Sequence, residues 1–221
     1  MNSKALIALA ASAAAIGCAT AGAAQSNRTR AISQSTAAKA AQEHPQIVEQ
    51  FGGEEPGPRA AYVRTVGARV AAQTNIQGGA NAFRITTLNS PVMNAFAVPG
   101  GYVYVTRQLM GLANDEAELA SVLGHEVGHI AADHSAGRQR TSVLTQLLSV
   151  GASVLTGSSQ IGQVVGQVGQ LRQLSYSRNQ EFEADDLGVR YMAGAGYDPN
   201  ASPSFLASLG AASSLFFLFG R

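Results

Sequence analysis

The chain has 221 residues and a formal net charge of +1, and 13% of its residues are charged. This length predicts one domain with at most a small appendage. The densest basic stretch is GRQR at 137–140, so we expect no nucleic-acid partner, and the single Cys18 excludes an internal disulfide bond.

The N-terminus has the pattern of an export signal. Lys4 precedes an apolar stretch rich in small residues, which is too weakly apolar for a spanning helix. Two processing sites stay open. AGA at 21–23 predicts cleavage before Ala24, whereas AIGC at 15–18 resembles a bacterial lipoprotein box with lipidation at Cys18. We therefore predict a signal peptide over 1–23, or a lipoprotein signal ending before Cys18, and a periplasmic protein that is soluble or anchored to the membrane.

Helical patterns come next along the chain. Residues 24–56 are polar and predict one short amphipathic helix around AAQEHPQIVEQFGG, with His44 exposed to solvent. Pro58 is well suited to begin a helix. A helix is predicted from there, because Tyr62, Val63, Val66 and Val70 recur at helical spacing.

The period then changes to that of strands. AFRITTLNS at 82–90 alternates and predicts one strand, and VMNAFAVPGGYVYVTRQLM at 92–110 predicts two short strands around a turn at 99–101. A helix is expected from an N-cap at Asn114 to about His134, and another over 179–195. These elements predict an α+β fold, mostly helical, with a small sheet beside a cleft.

The segment 141–175 has no charge between Arg140 and Arg172. It predicts either a helical hairpin packed on the core or a flap that is mobile or touches a membrane.

Three of the four histidines lie within ELASVLGHEVGHIAADHS, at 118–135. His125 and His129 are four residues apart, so a helix places them on one face about one turn apart, where both can bind one Zn²⁺. Glu126 can then act as a general base toward water held by the ion. A chance match in an exposed helix is the alternative, but this helix is apolar, and burying these groups without a partner is costly.

A catalytic zinc site needs a third protein ligand. His134 follows His129 by five residues, which is the wrong part of the helix for a ligand, and we expect it to support the site or to sit at the helix C-terminus. SRNQEFEADDLG at 177–188 offers Glu181 as the ligand, with Asp185 on the same face to accept a hydrogen bond from a ligand histidine. Glu183 and Asp186 are expected to point elsewhere. The alternative for this segment is an acidic, solvated helix start.

Together, NAFAVPGGYVYVTRQLM, ELASVLGHEVGHIAADHS and SRNQEFEADDLG resemble zinc metallopeptidases of the CAAX prenyl protease and HtpX type, over about residues 35–200. Within that family, the motifs resemble the soluble periplasmic or lipoprotein members of bacteria. The resemblance implies one zinc per chain held by His125, His129 and Glu181, with Glu126 as general base and Asp185 behind a ligand histidine. It also implies a substrate-binding sheet edge, to which an extended peptide adds as a strand, formed by Asn94, Ala95, Phe96, Pro99 and Gly100.

The chain departs from that family at its end. The expected His-Pro and Arg motif does not follow His134, so we predict a metallopeptidase domain over 57–221 with a truncated or altered C-terminus and no identified oxyanion donor.

We predict a zinc metalloendopeptidase acting on extended or misfolded envelope proteins. The alternative is a catalytically weak, chaperone-like binding protein that keeps the metal fold. A serine esterase is not expected, because this sequence has no G-x-S-x-G elbow.

Overall fold

The computed structural model describes residues 29–134 and 176–209. The predicted signal segment, Cys18 and the uncharged segment 141–175 lie outside these residues. The helices are α1 (Gln34–Gln50), α2 (Pro58–Ala71), α3 (Arg107–Met110), α4 (Glu116–Ala131) and α5 (Arg178–Gly194), followed by a helical stretch at 201–209. The strands are β1 (Arg84–Leu88), β2 (Ala95–Val98) and β3 (Tyr102–Thr106).

The three strands form one mixed sheet in the order β1-β3-β2. β1 runs parallel to β3, and β2 runs antiparallel to it, with Ala97 opposite Val103. The turn between β2 and β3 needs glycine, because Gly100 and Gly101 have φ values of 106° and 92°. The predicted α+β fold and the predicted pair of strands around this turn are confirmed.

The side chains of each strand alternate between two hydrophobic clusters, as the pleat requires. Val103 and Val105 of β3 face a core formed with α2 and α4. Tyr104 faces the opposite side, where it packs with Phe96 and with residues of α1. The polar segment before Pro58 is therefore part of the folded body, since its helix covers one face of the sheet.

His44 is buried, and the prediction of an exposed side chain was wrong. The residue is 8% exposed, and its Nδ1 lies 2.9 Å from the hydroxyl of Tyr104. The reason is that Ala40, His44 and Ile47 share one face of α1, and this face lies against the sheet. The helix also continues through Pro45, so it is longer than the sequence predicted.

The N-cap of α4 is Asp115 rather than the predicted Asn114. The Asp115 carboxylate accepts a 2.8 Å hydrogen bond from the backbone N–H of Glu118. Asn114 instead donates its backbone and side-chain N–H groups to the Glu118 carboxylate. The helix ends at Ala131, before the expected His134, and Asp133 then takes a φ of 57°.

Helix α5 begins after Ser177, which forms a capping box with Gln180. It packs on α4 through small residues. A Cβ on Gly124 would lie 2.8 Å from the carbonyl oxygen of Gly188, and one on Gly128 would lie 2.8 Å from that of Ala184. The two backbones are therefore close enough for side chains of α5 to reach those of α4.

Among the helices of the described ranges, none has both the length and the apolar character needed to cross a membrane.

Candidate metal centre

Helix α4 presents the two predicted histidine ligands side by side. The Nε2 atoms of His125 and His129 are 3.0 Å apart. His129 is 3% exposed, whereas His125 is partly open to solvent. One turn of helix thus places both ring nitrogens at the same point, as the four-residue spacing predicts.

Helix α5 adds a carboxylate at that point. The Glu181 oxygens lie 3.6 Å from Nε2 of His125 and 3.8 Å from Nε2 of His129. Bonds of 2.0–2.1 Å in tetrahedral geometry separate ligand atoms by about 3.4 Å, so the spacing fits one zinc-sized ion. All three ligand atoms lie within 4.8 Å of one another, and two histidines with a glutamate are a donor set of catalytic zinc sites.

Asp185 lies one turn beyond Glu181 and contacts the other nitrogen of His125. The Nδ1–Oδ1 distance is 2.7 Å, so this nitrogen donates to the carboxylate and leaves Nε2 free to bind a metal. Burial alone would lower the pKa of His125. The hydrogen bond that His125 donates to Asp185 and the charges of Glu126, Asp185 and Glu181 outweigh burial and raise that pKa.

Glu126 is buried next to His125 and is 8% exposed. Burial raises the pKa of its carboxyl to about 7, opposed by the charge of His125 and by a hydrogen bond from the backbone N–H of Ala97. A carboxylate with a pKa near neutrality is suited to take up and release a proton. A bound cation would lower this pKa.

Residues 58–217 match the sequence model of the family described as Peptidase family M48. The chain belongs to this family. Members are metal-dependent peptidases, and the cluster of His125, His129 and Glu181 can hold the ion in this M48 domain. The individual roles of these residues remain predictions.

Curated M48 relatives include beta-barrel assembly-enhancing proteases and mitochondrial metalloendopeptidases. The protease of Yersinia pestis is 34% identical over 157 residues, covering 67% of this chain and 32% of that protein. The protease of Escherichia coli (strain K12) is 32% identical over 157 residues, with the same coverage of both chains. OMA1 of Schizosaccharomyces pombe is 32% identical over 156 residues, covering 70% of this chain and 45% of that protein. This chain therefore spans about a third of the bacterial relatives' length.

The predicted substrate strand lies only partly beside the M48 metal centre. β2 pairs with β3 alone among the described strands, and the N–H of its Ala97 reaches Glu126. Phe96 points away, with its ring 4.9 Å from that of Tyr104. Gly100 abuts α1, since a Cβ there would lie 2.8 Å from the carbonyl oxygen of Thr36.

The other predicted strand-edge residues lie at the two ends of β2. Asn94 pairs with Thr106 at its start, through a 3.0 Å backbone hydrogen bond. Ala95 packs toward the core with α4. Pro99 stands in the turn after β2 and is partly buried.

His134 and Glu183 meet, although Glu183 was expected to point elsewhere. His134 Nδ1 lies 2.9 Å from Nδ1 of His129, and His134 Nε2 lies 3.2 Å from a carboxylate oxygen of Glu183. His134 is outside the three-ligand cluster, as predicted. Asp186 turns to Arg190, with their side chains 2.6 Å apart.

Two features of the centre were missed. Tyr176 stacks on His129 with ring centroids 3.7 Å apart, and no spacing rule in the sequence indicates this contact. Gly124 and Gly128 of α4 lie against the backbone of α5, a contact that the sequence did not predict. The sequence pattern that indicates this helix contact is a four-residue spacing of small residues, at 124 and 128 in α4 and at 184 and 188 in α5.

Proposed function

We propose that this M48 chain is a zinc-dependent metalloendopeptidase that holds one zinc ion with His125, His129 and Glu181. The observation that carries the proposal is the convergence of these three side chains with a buried glutamate next to the first histidine. Zinc, when bound there, acts as a Lewis acid on a peptide carbonyl and makes water acidic enough to attack near neutral pH.

Glu126 is the general base. Its carboxylate takes the proton of the attacking water and passes it to the nitrogen of the leaving amine. The backbone N–H of Ala97 interacts with this carboxylate and lowers its pKa, so Glu126 lies beside the edge of β2. Asp185 keeps the proton of His125 on Nδ1, so that Nε2 faces the site.

The open edge of β2 is the binding site for substrate. An extended peptide that pairs with β2 as an added strand passes in front of Glu126, because Ala97 belongs to this strand. Backbone hydrogen bonds require an extended peptide but depend little on its side chains. This mode of binding therefore favours unfolded segments over particular sequences. Ala95 would contact such a peptide through its backbone, whereas Asn94, whose backbone groups bond to Thr106, would act with Phe96, Pro99 and Gly100 by shaping the strand and its turn.

We place this activity in the bacterial envelope, on misfolded or unassembled proteins. The support is the export-type N-terminal sequence and the names of the bacterial relatives, which are beta-barrel assembly-enhancing proteases. Release by cleavage before Ala24 and anchoring through a lipid on Cys18 both fit this location.

The test compares the full chain with Glu126→Gln, measuring zinc content and casein hydrolysis in the same samples. We expect about one zinc in both proteins and a 10²–10⁴-fold lower rate for the variant, about the contribution of a general base. Equal hydrolysis by both would exclude Glu126 as the base. Zinc in both with hydrolysis by neither would favour the chaperone-like binding protein, and zinc in neither would contradict the metal centre.

A further inference from the structure

The two ligand histidines have different neighbours behind them. His125 donates directly to a carboxylate, since its Nδ1 lies 2.7 Å from Asp185. His129 meets another imidazole, since its Nδ1 lies 2.9 Å from Nδ1 of His134. Ligand histidines usually donate this second N–H to a carboxylate, a carbonyl or water, so the imidazole partner of His129 needs an explanation.

The protons of this pair can be placed by elimination. His129 faces the ligand cluster with Nε2, so a neutral His129 that binds metal carries its proton on Nδ1. A contact of 2.9 Å between two ring nitrogens holds one proton, so Nδ1 of His134 is the acceptor. The proton of His134 is then on Nε2, which lies 3.2 Å from the Glu183 carboxylate. All hydrogen bonds thus run in one direction, from His129 through His134 to Glu183.

His134 is fixed by contacts from both helices. Its backbone N–H donates to the carbonyl of His129 at 3.2 Å, and its own carbonyl accepts from the Gln180 side chain at 3.1 Å. The residue is 6% exposed, and the ring of Tyr176 lies 5.6 Å away, centroid to centroid. Its imidazole is therefore held in one orientation before any metal arrives.

We propose that His134 is a positioning residue for the metal centre, which with Glu183 sets the ring orientation and tautomer of His129. The inference rests on the proposed zinc site. It gives α5 three roles in one centre: Glu181 as ligand, Asp185 behind the first histidine, and Glu183 behind the second through His134.

Metal affinity of substituted full-length proteins tests the role, by competition with a chelator of known zinc affinity. His134→Leu keeps an apolar side chain at the buried position but cannot accept the proton of His129, and we expect zinc affinity to fall about 10–100-fold, the usual effect of losing such a partner. His134→Gln can accept from His129 and donate to Glu183, so we expect affinity within about threefold of the parent.

The contribution of Glu183 is tested with a second variant and a matched control. Glu183→Ala leaves His134 without its acceptor, and because Glu183 is 61% exposed and water can replace it, we expect a loss of only about three- to tenfold. Asp186→Ala removes the same charge from α5 at a residue paired with Arg190, and it should leave zinc affinity unchanged.

A second measurement works on the parent alone and does not depend on how any variant folds. The chain has four histidines, so its ¹⁵N-histidine NMR spectrum is simple enough to assign each ring. We expect His129 to carry its proton on Nδ1 and His134 on Nε2 in the zinc-bound protein.

The outcomes separate this inference from the proposed function. A parent that binds no zinc overturns both. A parent that binds zinc while His134→Leu binds it equally well overturns the positioning role alone. A proton on Nδ1 of His134 also overturns it, because that nitrogen could not then accept from His129.

Discussion

Gly124 and Gly188 place the backbones of α4 and α5 in direct contact. A Cβ on Gly188 would lie 2.8 Å from the backbone nitrogen of His125, and one on Gly124 would lie 2.8 Å from the carbonyl oxygen of Gly188. No flexible side chain stands between the helices at this point, so nothing can yield to an added methyl group. The separation of the helices therefore sets how closely Glu181 approaches the histidines.

Gly188→Ala should weaken both the fold and the metal centre. Overpacking of a tight contact typically costs about 1–3 kcal/mol, and the forced separation would move Glu181 away from His125. Urea unfolding and zinc affinity measure the two effects. Gly194→Ala is the control on the same helix, because its Cβ would meet only the flexible side chain of Gln73. An unchanged zinc affinity in Gly188→Ala would show that helix spacing does not set the ligand geometry.

Asp185→Ala should lower zinc affinity by about tenfold, at the low end for a lost ligand partner, since the Asp185 side chain is 54% exposed and water can replace it. The expected cause is loss of the 2.7 Å hydrogen bond that fixes the His125 ring. Chelator competition measures the affinity, with Asp186→Ala as control. Equal affinities for the two variants would remove Asp185 from the centre.

The buried contact of His44 should make stability fall in mild acid. Burial and the charge of Arg84 lower the pKa of His44, against the opposing charge and hydrogen bond of Glu54. Its other neighbours are the rings of Tyr102 and Tyr104. A lowered pKa in the folded state means that the unfolded chain takes up the proton first, so stability present above pH 6.5 is lost as the pH falls from there.

The measurement is the free energy of unfolding by urea between pH 8 and pH 5, for the parent and for His44→Gln. The glutamine can bond to Tyr104 but does not titrate, so the parent should lose more stability than the variant on acidification. Parallel profiles would show that His44 does not titrate differently in the folded and unfolded chains.

Arg30 should stabilise the end of the helix that carries the histidines. Its guanidinium donates to the carbonyl of Ile130 and lies 3.2 Å from the Asp133 carboxylate. A cation at a helix C-terminus contributes about 0.3–1 kcal/mol, and the hydrogen bond adds to this. We expect Arg30→Gln to lower the free energy of unfolding by about 1 kcal/mol. Arg59→Gln, at an exposed arginine 4.0 Å from its partner, should change it little; similar losses in both variants would contradict a specific role for Arg30.

The sequence predicted what short-range periodicity controls. The strands around the turn at 99–101 and the helix with His125 and His129 depend on alternation, helical spacing and turn residues, which act within a few positions. The N-cap was misplaced by one residue because Asn114 and Asp115 can both cap, and the choice depends on the contacts of Glu118.

The long-range contacts could not be obtained in this way. His44 was expected at the surface because periodicity shows that a face is shared but not which element covers it. Likewise, Glu183 was expected to point away from the site, but it contacts His134. His134 lies beyond the end of α4, and its position depends on the φ of 57° at Asp133, which helical spacing does not predict. Glu181 was proposed from the acidic segment at 177–188 together with the upstream histidine motif, and the structure brings it to the histidines.

The proposed metal centre can be tested by locating the bound zinc in a crystal. Crystals of the zinc-loaded full chain, measured on both sides of the zinc absorption edge, locate the ion by its anomalous difference density. We expect one peak about 2.0–2.2 Å from Nε2 of His125, Nε2 of His129 and a carboxylate oxygen of Glu181, with His134 outside bonding distance. A peak that includes His134 as a ligand, or one away from Glu181, would contradict the proposed metal centre.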